Sequence, residues 1–179
     1  MQINQQRGLG LVVLGGLIAG ALDLTFAFVF YAPQGATPLR ILQFIASGVL
    51  GKGSFEMGWA SAALGAFCHF FISVCAAGIY YLASLRLPFL TRRVAIAGAI
   101  FGVLMFLTMR FVVVPLSAIK PGPMKVGNAI AELCSHVFLF GMVIAYAVAR
   151  SRRANSPGHP APVEPLDHHI RSSGTTKSL

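Results

Sequence analysis

The stretch LGLVVLGGLIAGALDLTFAFVFY, residues 9–31, contains one charged residue, Asp23, in an otherwise apolar run. A helix of this length crosses a hydrocarbon core of about 30 Å, since each helical residue adds about 1.5 Å. A bilayer offers no partners to free backbone groups, so a spanning segment is either a helix or a strand of a closed barrel. The residues do not alternate as barrel strands do. We therefore predict a transmembrane helix, which leaves the position of Asp23 to be explained.

A cleavable signal peptide is the alternative interpretation of this first stretch. Arg7 precedes it, and residues 19–21 are small enough for a cleavage site. However, the apolar run continues to Tyr31, beyond the length of a signal-peptide core. A retained helix is therefore favoured.

The rest of the chain is also strongly apolar and contains further stretches of membrane-spanning length. Hydrophobic residues form 56% of the sequence and charged residues only 11%, whereas an ordinary soluble domain carries about 25% charged residues. Four stretches are long enough to span a membrane, at about residues 9–31, 59–83, 94–116 and 127–149. We predict an all-α polytopic membrane protein, with residues 1–150 forming a four-helix transmembrane bundle. Residues 151–179 are too polar to bury much apolar surface, so we expect a disordered cytoplasmic tail.

Basic residues predict the orientation, because Lys and Arg close to helix ends are retained in the cytoplasm. Most of them fall on one side of the predicted bundle, which indicates that both termini are cytoplasmic. The formal charge of +9 then reflects topology and contact with membrane lipid, and we expect no nucleic-acid partner. The cytoplasmic set is Arg7, Arg86, Arg92, Arg93, Arg150, Arg152 and Arg153, and the opposite set is Arg40, Lys52, Lys120 and Lys125.

The first outer loop contains the segment TPLRILQFIASGVLG, which predicts a short helix over about Pro38–Leu50. Thr37 is a suitable N-cap, and Pro38 suits the first helical position. At this length the helix cannot span the membrane. We expect it to lie flat at the outer interface or to cap the bundle, although a helix that covers a binding cleft would have the same pattern.

Five Asp, Glu, His or Arg residues lie within the predicted spans, all in the outer half of the membrane. A charge that faces lipid costs roughly 3 kcal/mol on insertion scales, so these side chains should face the bundle interior. We expect them to converge in one polar cluster. Its members are Asp23, His69, Arg110, Glu132 and His136.

Each of these residues also has a simpler explanation. Arg110 can extend to the outer headgroups or pair with Asp23 or Glu132. His69 can be a neutral hydrogen-bond donor to Ser73 or to a backbone carbonyl, and the same holds for His136. A structural polar cluster that orients the helices is therefore the favoured interpretation.

Two other functions remain open for the cluster. Asp23, His69, Glu132 and His136 together form a ligand set that suits a divalent transition metal such as Zn(II), Fe(II) or Mn(II). The same groups could relay protons or assist solute movement. The sequence contains no HExxH or CxxC motif, so spacing gives these alternatives little support.

Three segments resemble the YagU-like group of bacterial inner-membrane proteins: HFFISVCAAGIYYLASLRLPFL, FVVVPLSAI and CSHVFLFG. The similarity covers roughly residues 10–150, and it carries over His69, Pro115 and His136 as pattern positions. Related sequences more often have a neutral polar residue such as Asn at the position of Arg110. The resemblance implies a bacterial inner membrane and supplies no activity.

The sequence contains no nucleophile elbow, phosphate loop or other recognised catalytic pattern. We therefore expect a small non-enzymatic integral membrane protein, with a transporter or a metal-binding protein as the alternative. A homo-oligomer or a membrane-protein partner is left open.

Overall fold

The computed structural model describes residues 2–118 and 125–154, and the regular elements within these ranges are helices. Four of them are long and apolar enough to cross a membrane, which confirms the predicted fold and makes the chain a multi-pass membrane protein. The elements are α1 (Gln2–Tyr31), α2 (Pro38–Leu50), α3 (Gly58–Arg86), α4 (Phe89–Arg92), α5 (Val94–Leu116) and α6 (Val126–Ala154), with 3₁₀ turns at Ala32–Gln34 and Gly51–Glu56.

The last helix is longer than the sequence indicated. It continues to Ala154 and so includes the first four residues, 151–154, of the predicted tail. Ser151 is fully buried and donates a hydrogen bond from Oγ to the Gly8 carbonyl over 2.8 Å, so this final turn packs against the start of α1. The rest of the predicted tail, residues 155–179, lies outside the described residues.

The two ends of the bundle differ in the side chains and helices that they carry, and we name each end after these features. The arginine end carries Arg86, Arg92 and Arg93 around the connection from α3 to α5, together with Arg150 near the end of α6. The loop-helix end carries α2. These names do not depend on which end faces the cytoplasm.

The half of the bundle toward the arginine end is closely packed. The Tyr80 ring is buried against Phe101 at 4.9 Å between ring centroids, and the Tyr80 hydroxyl donates to the Leu90 carbonyl over 2.9 Å. Small side chains let the surrounding helices approach one another. The buried core comprises Val12, Ala19, Ala76, Ala77, Tyr80, Ala97, Phe140, Ile144, Ala145 and Val148.

Helices α5 and α6 touch backbone to backbone at glycines. A Cβ atom on Gly102 would lie 2.3 Å from the His136 carbonyl oxygen, and one on Gly141 would lie 2.2 Å from the Gly98 carbonyl oxygen. Real Cβ atoms do not approach so closely. The contact therefore requires glycine and sets the position of His136 relative to α5.

Helix α2 is fixed against α3 as a cap on the bundle. The Thr37 side chain caps α2 by accepting a hydrogen bond from the Arg40 backbone N–H at 3.3 Å, as the sequence indicated. A Cβ atom on Gly65 would lie 2.0 Å from the Leu42 carbonyl oxygen, so the two backbones are in direct contact. The buried Gln43 side chain donates to the Gly58 carbonyl over 3.1 Å.

Candidate functional site

A cavity of about 570 Å³ lies beneath α2 at the loop-helix end. This volume is within the range of about 300–1,000 Å³ that is typical of small-molecule sites. Its walls are mostly apolar, and its floor includes Phe140, a member of the core. The apolar lining comprises Leu24, Ala27, Ala36, Ile41, Phe44, Ile45, Phe55, Ile72, Met105, Met109, Val114 and Phe140.

The structure places all five polar residues singled out in the sequence on the wall of this cavity. They come from four spans: Asp23 from α1, His69 from α3, Arg110 from α5, and Glu132 and His136 from α6. Their common location is a fact of the fold, whereas a shared role in binding stays a prediction. Tyr31, Arg40 and Ser73 also line the cavity.

Asp23 links α1 to α6. Its Oδ1 accepts a hydrogen bond from the Ser135 hydroxyl over 2.6 Å. The same oxygen is 3.8 Å from His136 Nδ1, with 16% of the Asp23 side chain and 18% of the His136 side chain exposed. The second contact is an ion pair when the imidazole is protonated. The carboxylate therefore has partners on α6 and does not pair with Arg110.

Each histidine has one ring nitrogen directed at a backbone carbonyl. His69 Nε2 lies 2.9 Å from the Gly20 oxygen on α1, and His136 Nδ1 lies 2.9 Å from the Glu132 oxygen one turn earlier. A carbonyl only accepts, so both nitrogens carry a proton and donate. His69 thus joins α3 to α1, which is the simpler explanation raised for it. Ser73, the other partner considered for His69, donates to the Gly16 carbonyl over 2.6 Å.

Glu132 accepts a hydrogen bond at Oε1 from the hydroxyl of Tyr31, at the end of α1. One turn before Glu132, Asn128 Nδ2 donates to Gln34 Oε1 over 3.3 Å. These two bonds join the end of α1 and the 3₁₀ turn that follows it to the first turns of α6. Tyr31 was not among the predicted site residues, although its position at the end of the first span was a usable signal.

Both α5 and α6 widen into π-helical turns beside the cavity, at Met109–Val113 and His136–Gly141. Such turns are frequent at functional sites. In α5 the turn precedes Pro115, which has no N–H to donate and whose ring crowds the carbonyl four residues earlier. In α6 the turn begins at His136, whose side chain shares the Glu132 carbonyl with the backbone N–H of the same residue.

Arg110 differs from the other four polar residues. Its side chain is partly buried, and it makes no hydrogen bond or ion pair with any residue in the described ranges. Neither pairing considered for it, with Asp23 or with Glu132, is present among the described residues. A second guanidinium, that of Arg40 on α2, lines the cavity with its Cζ 4.7 Å from the centre of the Phe55 ring. Arg40 was predicted from the sequence only as one of the basic residues that set the topology.

Within residues 2–118 and 125–154, no three or more His, Cys, Asp or Glu side chains are grouped so that they could hold a metal ion. Asp23, His69, Glu132 and His136 each already make a hydrogen bond within the protein. A divalent transition metal at these residues stays a prediction.

No family model, curated protein or solved structure matches this chain. The resemblance to the YagU-like group likewise stays a prediction.

Proposed function

We propose that this membrane protein is a non-enzymatic member of the YagU-like group in the bacterial inner membrane, and that its cavity binds an amphipathic anion. The observation that carries the binding proposal is Arg110. Its guanidinium has five N–H donors and no partner among the described residues, yet it lies on the wall of a largely apolar cavity. A charged group in such surroundings is costly until an oppositely charged, hydrogen-bonding group joins it.

The other polar residues support an anion rather than a cation. Asp23 and Glu132 already accept hydrogen bonds from Ser135 and Tyr31, whereas the Arg110 donors are unused within the described residues. A carboxylate or phosphate fits a guanidinium geometrically, because both of its oxygens can accept parallel N–H bonds. Apolar side chains around that point suit an aliphatic tail. The ligand is therefore lipid-like, with one anionic group.

The remaining polar residues are better explained as structural. Hydrogen bonds from Ser135 to Asp23, from His69 to the Gly20 carbonyl and from Tyr31 to Glu132 each join two different spans. They place the spans around the cavity and leave it preformed. A binding role fits better than transport, because the buried core, including Phe140, fills the bundle between the cavity and the arginine end.

The test is binding of oleate and of methyl oleate to the full-length protein in phosphatidylcholine nanodiscs. We expect oleate to bind more tightly than its uncharged ester. The variant Arg110→Gln should weaken oleate binding roughly tenfold and leave the ester unaffected, since a hydrogen bond to a charged group contributes about 1.5–3 kcal/mol.

The matched control is Arg92→Gln, which removes one exposed positive charge at the arginine end. Its oleate affinity should equal that of the parent protein. Equal affinity for oleate and methyl oleate, or equal losses in the two Arg variants, would refute the proposal.

A further inference from the structure

A second cavity, a groove of about 700 Å³, lies between α1 and α6 at the arginine end. Its apolar walls include Leu14 and Ile18 of α1, which are 51% and 45% exposed. Gly15 and Ala147 bring the two helices together within it, since a Cβ atom on Gly15 would lie 2.3 Å from the Ala147 Cβ. Both helices span the membrane, so lipid chains can reach this groove.

One end of the groove is lined by positively charged side chains. Arg150 and Arg153 line it together with Tyr146. The Arg150 side chain folds back along α6, where its Nε donates to the Tyr146 hydroxyl over 3.0 Å and its Cζ lies 5.4 Å from the centre of the Tyr146 ring. This contact positions the guanidinium over the groove at the level where an aromatic residue typically meets the lipid headgroups.

The described residues contain no carboxylate that could neutralise this charge. Their acidic side chains are Asp23, Glu56 and Glu132. Asp23 and Glu132 line the cavity at the loop-helix end, and Glu56 belongs to the 3₁₀ turn that follows α2. Among the described residues, the groove therefore combines apolar walls with two guanidinium groups, those of Arg150 and Arg153, that have no carboxylate beside them.

We infer that this groove binds one anionic phospholipid, with its phosphate against Arg150 and Arg153 and an acyl chain along Leu14 and Ile18. Basic pockets between transmembrane helices suit anionic headgroups, and the groove supplies the apolar length that a free phosphate ion would not need. The site shares no residue with the cavity beneath α2, so it is independent of the proposed anion site there.

The experiment uses the full-length protein in a mild detergent after delipidation. Native mass spectrometry would measure the binding of dioleoylphosphatidylglycerol and of dioleoylphosphatidylcholine. We expect the anionic lipid to bind with a stoichiometry of one and at least fivefold more tightly. The double variant Arg150→Gln/Arg153→Gln should weaken its binding about thirtyfold, since two basic residues near a membrane surface together contribute about 2 kcal/mol.

The matched control is the double variant Arg92→Gln/Arg93→Gln, which removes the same charge from exposed positions at the same end but outside the groove. The control should retain the lipid affinity of the parent protein.

A second variant, Leu14→Trp, fills the groove without changing the charge and should also weaken lipid binding. Equal affinity for the two lipids, equal losses in the two double variants, or unchanged binding by Leu14→Trp would each overturn the assignment.

Discussion

The hydroxyl of Ser135 lies 2.6 Å from Asp23 Oδ1, and this bond explains why a carboxylate is found within the first membrane span. Only 16% of the Asp23 side chain is exposed, and Ser135 and His136 of α6 lie beside its carboxylate. The charge thereby contributes to helix orientation at a depth where an unpartnered carboxylate would be costly.

Replacing Ser135 by Ala should lower the free energy of unfolding by about 1 kcal/mol, the usual size of an interhelical hydrogen bond in a membrane. In the background of Asp23→Asn the same substitution should cost less, because the charge-assisted bond is already lost. Thermal or denaturant unfolding in detergent would measure both effects. The control is Cys134→Ala, at the neighbouring exposed position. A loss of stability in Ser135→Ala no greater than in the control would contradict the assigned role of this bond.

Gly102 should tolerate no side chain. Its Cβ would meet the His136 carbonyl at 2.3 Å, so Gly102→Ala must separate α5 from α6 or displace the π turn. We expect a loss of about 1–3 kcal/mol, as for other overpacked interfaces. Gly78→Ala is the control, because nothing lies within 4 Å of that Cβ position. It should be neutral or slightly stabilising, and similar melting temperatures for the two variants would argue against the close contact.

The sequence was sufficient to predict the four spans and α2, because apolar length and capping chemistry are local signals. Asp23, His69, Glu132 and His136 were also identifiable, since an ionisable residue in an apolar run stands out. The pairings depend on how the helices rotate against one another, which local patterns do not determine. The spacing of Gly98 and Gly102 is a GxxxG motif that would have indicated the contact between α5 and α6. The π turns, and the lack of a partner for Arg110 among the described residues, have no comparable signal in the sequence.

The position of α2 over the cavity should depend on Gly65. A Cβ atom there would lie 2.0 Å from the Leu42 carbonyl oxygen, so Gly65→Ala should push α2 away from α3. We expect amide hydrogen exchange across Pro38–Leu50 to become at least several-fold faster, because opening of this helix would then cost less free energy. Gly53→Ala, with nothing within 4 Å of its Cβ position, is the control. Unchanged exchange in the Gly65 variant would show that α2 is held by other contacts.

The arginine end should face the cytoplasm. Arg86, Arg92, Arg93 and Arg150 lie there, close to the ends of spanning helices, whereas Lys52 and Lys125 flank the spans at the loop-helix end. Retention of Arg and Lys during insertion then predicts both termini on the cytoplasmic side.

A fluorescent-protein fusion after Arg153 should fluoresce, and an alkaline phosphatase fusion after Lys52 should be active. A substituted chain with Arg86, Arg92 and Arg93 all changed to Gln should show a mixed orientation, because the bias between the two ends becomes smaller. An active phosphatase after Arg153 in the parent chain would reverse the orientation and move the phospholipid groove to the outer leaflet.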